Sequence, residues 1–181
     1  MDRHFHRGGT HRHTLDDLAP LPAAPTPFRN SDKLLEAARC MFRARQHAAR
    51  LRQQAGEDYS GDAELRRAVR ESAALARAWN RHFHASFELT PDADPVCQTS
   101  REHKLTKLER EILCILLLDR LSLLNEMLSS AHDVLAVLCL PAGRSLTALR
   151  AVSERGRLYK GQVIAYDDDE RDLRDRELVL D

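Results

Sequence analysis

The sequence predicts a mainly α-helical fold that ends in a small β-hairpin. Apolar residues recur at steps of three and four over most of the chain between residues 31 and 154, which is the period of amphipathic helices. Near the carboxyl end, two strand-like apolar stretches flank a run of charged residues, as they do in a hairpin. The composition agrees, because 43% of the 181 residues are hydrophobic and only 5% are aromatic, a balance that suits a helix-rich protein.

Residues 1–30 are predicted to be a flexible tail rich in histidine and proline. They hold four of the seven prolines and few large apolar side chains, so folding could not offset the entropy lost on ordering them. The tail also contains His4, His6, His11 and His13. Histidines this close together can chelate a transition metal, but we favour a solvated low-complexity tail or a remnant of cloning. We therefore expect no metal and no other cofactor.

Residues 31–90 are predicted to form a helical hairpin. Asn30 or Ser31 can cap a first helix that reaches about Ala55, and a polar turn follows it. Asp62 can cap the second helix, in which apolar residues alternate steps of four and three. That alternation is the seam spacing of antiparallel helix packing.

Arginines cover the polar faces of these two helices. They are Arg43, Arg45, Arg50, Arg52, Arg66, Arg67, Arg70 and Arg77. Contact with nucleic acid is one interpretation, but glutamates interleave with the arginines, and such a face is more often simply solvated. The charge of the whole chain gives nucleic acid no further support, because 28 basic residues stand against 28 acidic ones.

Residues 91–104 are predicted to be a linker. Pro91 and Pro95 enclose two aspartates, and a helix cannot continue through such a segment. The linker is short, so the parts on either side of it are expected to pack together or to restrict one another.

Four cysteines lie far apart in the sequence, and none belongs to a C-x-x-C pair: Cys40, Cys97, Cys114 and Cys139. Zinc sites need closely spaced ligand pairs, so we expect reduced thiols typical of a cytoplasmic protein. The longest apolar run is about a third of the ~20 residues that a membrane span requires. No signal-peptide pattern opens the chain. The sequence thus predicts a cytoplasmic protein with no membrane partner.

Residues 105–181 are predicted to contain three helices. The first, Thr106–Leu121, opens with a capping box completed by Glu109, and its apolar residues cover more than one face. The second helix is predicted at His132–Leu140. A Pro-Ala-Gly break then precedes the third helix, Ser145–Glu154.

The third helix is predicted to bury one side and to expose the other. Its spacing indicates that Leu146, Leu149 and Val152 are buried, whereas Ala148 and Ala151 lie on the exposed face with the polar residues. In a helix-turn-helix protein this exposed face would lie in the major groove of DNA.

Arg157–Asp181 is predicted to be a β-hairpin with an acidic tip. Three helices followed by such a hairpin make a winged helix, in which the hairpin is the wing. The candidate contact residues on and after the third helix are Arg144, Thr147, Arg150, Arg155 and Arg157, and those of the wing are Asp167, Asp168, Asp169 and Glu170. A phosphate backbone would be repelled by this wing. A protein partner is therefore favoured over nucleic acid.

A resemblance to a known family rests on three runs, L-T-K-L-E-R-E-I-L-C-I-L-L-L at 105–118, H-D-V-L at 132–135 and S-L-T-A-L-R-A-V-S-E-R-G-R-L at 145–158. The segment from about residue 100 onward resembles the winged-helix region that precedes the ATPase core in a group of bacterial AAA+ ATPases. The resemblance implies a module that docks a substrate, an adaptor or a neighbouring subunit, with ATP hydrolysis located downstream. The chain contains no G-x-x-x-x-G-K-[ST] phosphate loop, so it is not itself the motor.

We therefore expect a non-catalytic protein–protein interaction module whose partner is another protein or a downstream ATPase domain. The alternative is a winged-helix DNA-binding regulator that uses the helical hairpin to dimerise. An enzyme is disfavoured, because the histidines stand singly, with no nucleophile or carboxylate at motif spacing: His82, His84, His103 and His132.

Overall fold

The computed structural model describes residues 19–56, 63–124, 128, 130–138, 142–166 and 178–180. The fold is mainly helical, as the sequence predicts. The helices are α1 (Ser31–Ala55), α2 (Ala63–Leu89), α3 (Pro95–Glu102), α4 (Lys107–Arg120), α5 (Ala131–Leu138), α6 (Ala142–Val152) and α7 (Arg157–Lys160). Two short strands, β1 (Ile164–Tyr166) and β2 (Leu178–Leu180), form an antiparallel pair.

α1 and α2 pack side by side and run in opposite directions. α1 begins at the predicted cap, where Asn30 Oδ1 accepts a hydrogen bond of 3.0 Å from a backbone amide of the first turn. Phe28, just before α1, donates its amide to Thr90 Oγ1 just after α2, at 2.9 Å. Arg45, further along α1, donates to Asn80, which lies earlier on α2. The start of α1 thus lies beside the end of α2, and residues further along α1 lie beside earlier residues of α2, as in an antiparallel pair.

α3 lies within the predicted linker. Asp94 caps it, since its Oδ1 accepts hydrogen bonds from the amides of Val96 and Cys97 at 3.0 and 3.2 Å. Pro95 occupies the first helical position, where a missing amide proton costs nothing. The other carboxylate oxygen of Asp94 accepts a hydrogen bond from Ser31 Oγ at 2.7 Å. This contact ties the start of α3 to the start of α1.

α4 lies in the core, as its apolar pattern predicts. Its capping box is confirmed, because Thr106 Oγ1 accepts from the amide of Glu109 at 3.3 Å and Glu109 Oε2 accepts from the amide of Thr106 at 2.7 Å. The buried apolar residues of α4 are Ile112, Leu113, Cys114, Ile115, Leu116 and Leu118. Burial of one leucine or isoleucine stabilises a fold by about 1.5–3 kcal/mol. One cluster of buried side chains runs from α1 and α2 through α4 to α5, α6, α7 and β1.

The side of α6 predicted to face solvent is partly wrong. Ala148 is 0% exposed and Ala151 is 9% exposed, whereas Leu146 is 65% exposed. Val152 is buried as predicted. α6 contacts α4 and α5, and its buried residues include these two alanines and Val152, while Leu146 is left in solvent.

The segment after α6 also differs from the prediction. Residues expected at the start of the first strand instead form α7, which begins after Gly156. The strand pair is present further on, with Ile164 opposite Leu180 and Tyr166 opposite Leu178. The predicted wing tip lies outside the described residues.

Candidate anion-binding cleft

A cleft of about 940 Å³ lies between α2, the first turn of α4, and the segment from the end of α6 to the start of α7. Volumes of this size are typical of ligand-binding sites. Its lining residues are Arg45, Asn80, Arg81, His84, Ala85, Glu88, Thr106, Lys107, Leu108, Glu109, Glu111, Thr147, Arg150, Ala151, Arg155, Gly156 and Arg157. Six of these are arginine or lysine and three are glutamate.

Four of the residues nominated from the sequence meet in this cleft: Thr147, Arg150, Arg155 and Arg157. The side chain of Arg144 and the wing residues Asp167, Asp168, Asp169 and Glu170 lie outside what the structure describes. The cleft also contains Arg81 and Lys107, which sequence reasoning did not single out. Both belong to other helices, and only the packing of the chain brings them beside α6.

The cleft has an excess of positive charge that its own glutamates do not offset. Glu88 Oε1 accepts a hydrogen bond from Arg110 Nη1 at 2.6 Å, and this bond lowers the pKa of the Glu88 carboxyl. Glu109 serves the capping box at the start of α4. Glu111 is held by Arg45 and His84. Each described carboxylate of the cleft is therefore already engaged.

Five exposed cations remain around the cleft: Arg81, Lys107, Arg150, Arg155 and Arg157. In the described parts of the chain, none of the five forms an ion pair, since the described ion pairs involve other basic residues. Arg157 Nη1 donates to the carbonyl oxygen of Lys104 at 2.5 Å, which fixes the position of its guanidinium beside the cleft. The cleft therefore carries positive charge that no described carboxylate neutralises, which favours binding of an anion.

The first turn of α4 adds backbone donors to the cleft. The amide of Thr106 is bound to Glu109, and the amide of Glu109 is bound to Thr106. No described group accepts a hydrogen bond from the amides of Lys107 or Leu108, both of which line the cleft. The first amides of a helix carry partial positive charge, which favours an anion near them.

A buried ion cluster forms the floor of the cleft. Arg45 Nη1 and Nη2 donate to the two carboxylate oxygens of Glu111 at 2.7 and 2.8 Å. His84 Nε2 lies 2.8 Å from Glu111 Oε1, and because a carboxylate only accepts, the imidazole is the donor. Burial would raise the pKa of Glu111, but the hydrogen bonds from His84 and Arg45 outweigh it, and the pKa lies below its usual value.

One expectation about this cluster is wrong. Arg45 was assigned to the solvated face of the first helix, yet its side chain is only 16% exposed and pairs with Glu111. His84 has no carboxylate at motif spacing in the sequence, and packing supplies Glu111 from 27 positions away. A signal is present in the sequence, because Glu111 directly precedes the apolar run of residues 112–118, and a glutamate that is buried with such a run must find a partner.

The comparisons with known proteins add no family. This chain matches no protein-family model, no curated protein and no solved structure.

The described residues give no other candidate site of the same weight. Among them, no group of three or more histidine, cysteine, aspartate or glutamate side chains could hold a metal ion. Cys40, Cys97 and Cys114 are buried and free, as expected, and burial raises the pKa of each thiol. Within the ranges that the structure covers, no helix is both long and apolar enough to cross a membrane.

Proposed function

We propose that this chain is a non-catalytic protein–protein interaction module whose basic cleft binds an acidic segment of a partner protein. One observation carries the proposal: five exposed cations surround a cleft whose described glutamates are all engaged within the chain. Such a surface attracts an anionic partner and orients it. We further propose that the whole is a helical hairpin joined to a winged helix, with the cleft between the two.

The position of α6, which corresponds to the predicted third helix of the winged helix, favours a protein segment over duplex DNA as the ligand. Thr147 and Arg150 line the same cleft as Arg81 and Glu88 of α2, so α2 stands opposite the side of α6 that a DNA-reading helix would insert. A major groove admits a helix only when that side is unobstructed. An extended acidic peptide is narrower than a DNA duplex and does not require α6 to be inserted into it.

The partner that we infer is a protein or a downstream ATPase domain of the AAA+ class, in keeping with the resemblance of residues 105–158. The module would then dock a substrate, an adaptor or a neighbouring subunit. The buried free cysteines of the chain support a reducing, cytoplasmic location for the protein.

The test is a titration of the full chain against a fluorescein-labelled oligoglutamate peptide at low ionic strength, followed by fluorescence anisotropy. We expect saturable binding that weakens as salt is added. Replacing both Arg81 and Arg150 by alanine should weaken it by about two- to thirtyfold, because each solvent-exposed ion pair contributes about 0.2–1 kcal/mol.

Arg70→Ala is the matched control. Arg70 is an exposed arginine of α2 that lies outside the cleft, about three turns (~16 Å) from Arg81 on nearly the same face of the helix. This variant should bind the peptide as the unaltered chain does. Two results would contradict the proposal: no binding of the peptide, or equal weakening by Arg70→Ala and the cleft variant.

A DNA-binding regulator is the second candidate, and the exposed arginines on and just after α6 are the observation that favours it. The same titration separates the two functions when a fluorescent duplex replaces the peptide. A duplex bound more tightly than the peptide, with loss of binding in Arg150→Ala, would favour the regulator.

A further inference from the structure

The cations of the cleft are mostly arginines. Of the five that are exposed and outside any described ion pair, four are Arg81, Arg150, Arg155 and Arg157, and the fifth is Lys107. A guanidinium is planar and offers paired donors that match two oxygens of one anion, whereas an ammonium acts as a point charge. A cluster of this composition suits an anion with several oxygens on one centre.

The five cations belong to different elements of the fold and border one cleft, rather than following one helix. Arg81 belongs to α2, Lys107 to the first turn of α4 and Arg150 to the last turn of α6, while Arg155 and Arg157 follow at and just after the turn to α7. All five border a single cleft of about 940 Å³. A row of carboxylates spreads one charge per residue along a peptide. A phosphorylated side chain concentrates about −1.5 to −2 charges and three acceptor oxygens in one group.

Glu111 and Glu88, which line the cleft, are hydrogen-bonded to residues other than these cations. Glu111 has both oxygens bonded to Arg45, and one of them also to His84, so it is not available to Arg81 or Arg150. Glu88 is held by Arg110, whose guanidinium also stacks 4.9 Å from the ring centroid of Phe87. The described glutamates of the cleft therefore do not neutralise its arginines, whose positive charge is available to a ligand.

We propose that the group recognised in this cleft is the phosphoryl group of a phosphorylated serine or threonine in the partner segment. The inference rests on the proposed function and narrows its ligand from any acidic segment to a phosphorylated one. The arginines bind the phosphate oxygens through their paired donors, and the open amides of Lys107 and Leu108 complete the contact.

The experiment compares three fluorescein-labelled peptide libraries that share degenerate flanking positions. Their fixed central residue is phosphoserine, glutamate or serine, and each library is titrated against the full chain. The phosphoserine library should bind at least about tenfold more tightly than the serine library and several-fold more tightly than the glutamate library. Inorganic phosphate alone should compete only at much higher concentration, because it lacks the peptide.

Arg150→Lys distinguishes recognition by the paired donors of a guanidinium from simple attraction by positive charge. It preserves the positive charge, so the affinity for the glutamate library should change little, while the preference for phosphoserine over glutamate should fall. Arg70→Ala should leave the preference unchanged, and thermal melting should show that both variants remain folded.

Equal affinity for the phosphoserine and glutamate libraries would overturn the phosphoryl proposal while leaving the acidic-segment proposal intact. Competition by inorganic phosphate as strong as that by the phosphoserine library would overturn it too, in favour of a site for free phosphate. Failure of all three libraries and of oligoglutamate to bind would overturn both proposals.

Discussion

Arg45 on α1 donates two hydrogen bonds to Glu111 on α4, at 2.7 and 2.8 Å, and so joins helices from opposite sides of the predicted linker. His84 on α2 donates to the same carboxylate. One buried anion is thus shared by three helices and lies beneath the cleft. A pair of this kind contributes little net stability when intact, but removal of one partner leaves a buried charge without compensation.

Glu111→Gln is predicted to destabilise the fold by about 3–5 kcal/mol, because the Arg45 guanidinium loses its counter-charge in a site where Glu111 is only 6% exposed. Equilibrium unfolding in urea measures the loss. The control is Arg67→Ala, which removes an ion pair with Glu71 on the solvent-exposed face of α2 and should leave the unfolding curve unchanged. Equal curves for the unaltered chain and Glu111→Gln would contradict the prediction.

The contribution of Glu111 to the free energy of unfolding is predicted to fall in acid. Its pKa in the folded state lies below the ordinary value of 4.5, so the folded state binds its proton less readily than the unfolded state does. The stability that it supplies is fully present above about pH 4.5 and is lost as the pH falls through the folded pKa.

Urea unfolding of the unaltered chain and of Glu111→Gln, repeated from neutral to acid pH, measures this dependence. The difference in the free energy of unfolding between the two chains should shrink in acid. A difference that stays constant at every pH would mean that Glu111 does not titrate as its contacts require.

Gly156→Ala is predicted to destabilise the turn between α6 and α7. An added Cβ would lie 2.8 Å from the carbonyl carbon of Ala151 and closer still to its oxygen, so the backbone must shift, at a cost of about 1–3 kcal/mol. Arg155→Ala, an exposed neighbour in the same turn, is the control and should change stability by less than about 0.5 kcal/mol. Thermal melting of the two variants measures both effects. Equal melting temperatures would show that the turn tolerates a side chain at this position.

The described cysteines are predicted to resist alkylation in the folded chain. Burial raises the pKa of Cys97 to about 12 and raises that of Cys40 and Cys114 as well, so little reactive thiolate forms near neutral pH. Mass spectrometry after iodoacetamide treatment should find all three unmodified in the native chain and modified in urea. Rapid labelling of Cys114 without denaturant would contradict its burial.

Local signals explain which parts of the fold the sequence predicts. The starts of α1 and α4 are correct because Asn30 and the Thr106–Glu109 pair bond to amides within their own first turns. The same kind of signal is present at α3, where Asp94 precedes Pro95, but two prolines that enclose two aspartates are equally typical of the linker that the sequence predicts.

Long-range packing explains what the sequence could not predict. Arg45 stands among other arginines of α1, and its partner Glu111 lies 66 positions away, so no local pattern distinguishes it from a solvated residue. The sequence does not reveal the buried side of α6, because Ala148 and Ala151 are compatible with either environment and only the packing of the helices decides between them. The cleft is lined by Arg45 and Glu111 and by Ala151 of α6, so it too could not be predicted from local patterns.

Residue-by-residue amide hydrogen exchange, followed by NMR with and without the oligoglutamate peptide, tests the cleft as the binding site most directly. Binding there should slow exchange at Lys107 and Leu108, whose amides have no described acceptor in the unbound chain, and in the last turn of α6. Exchange near Arg70 should not change. Slowed exchange confined to parts of the chain away from the cleft would contradict the account.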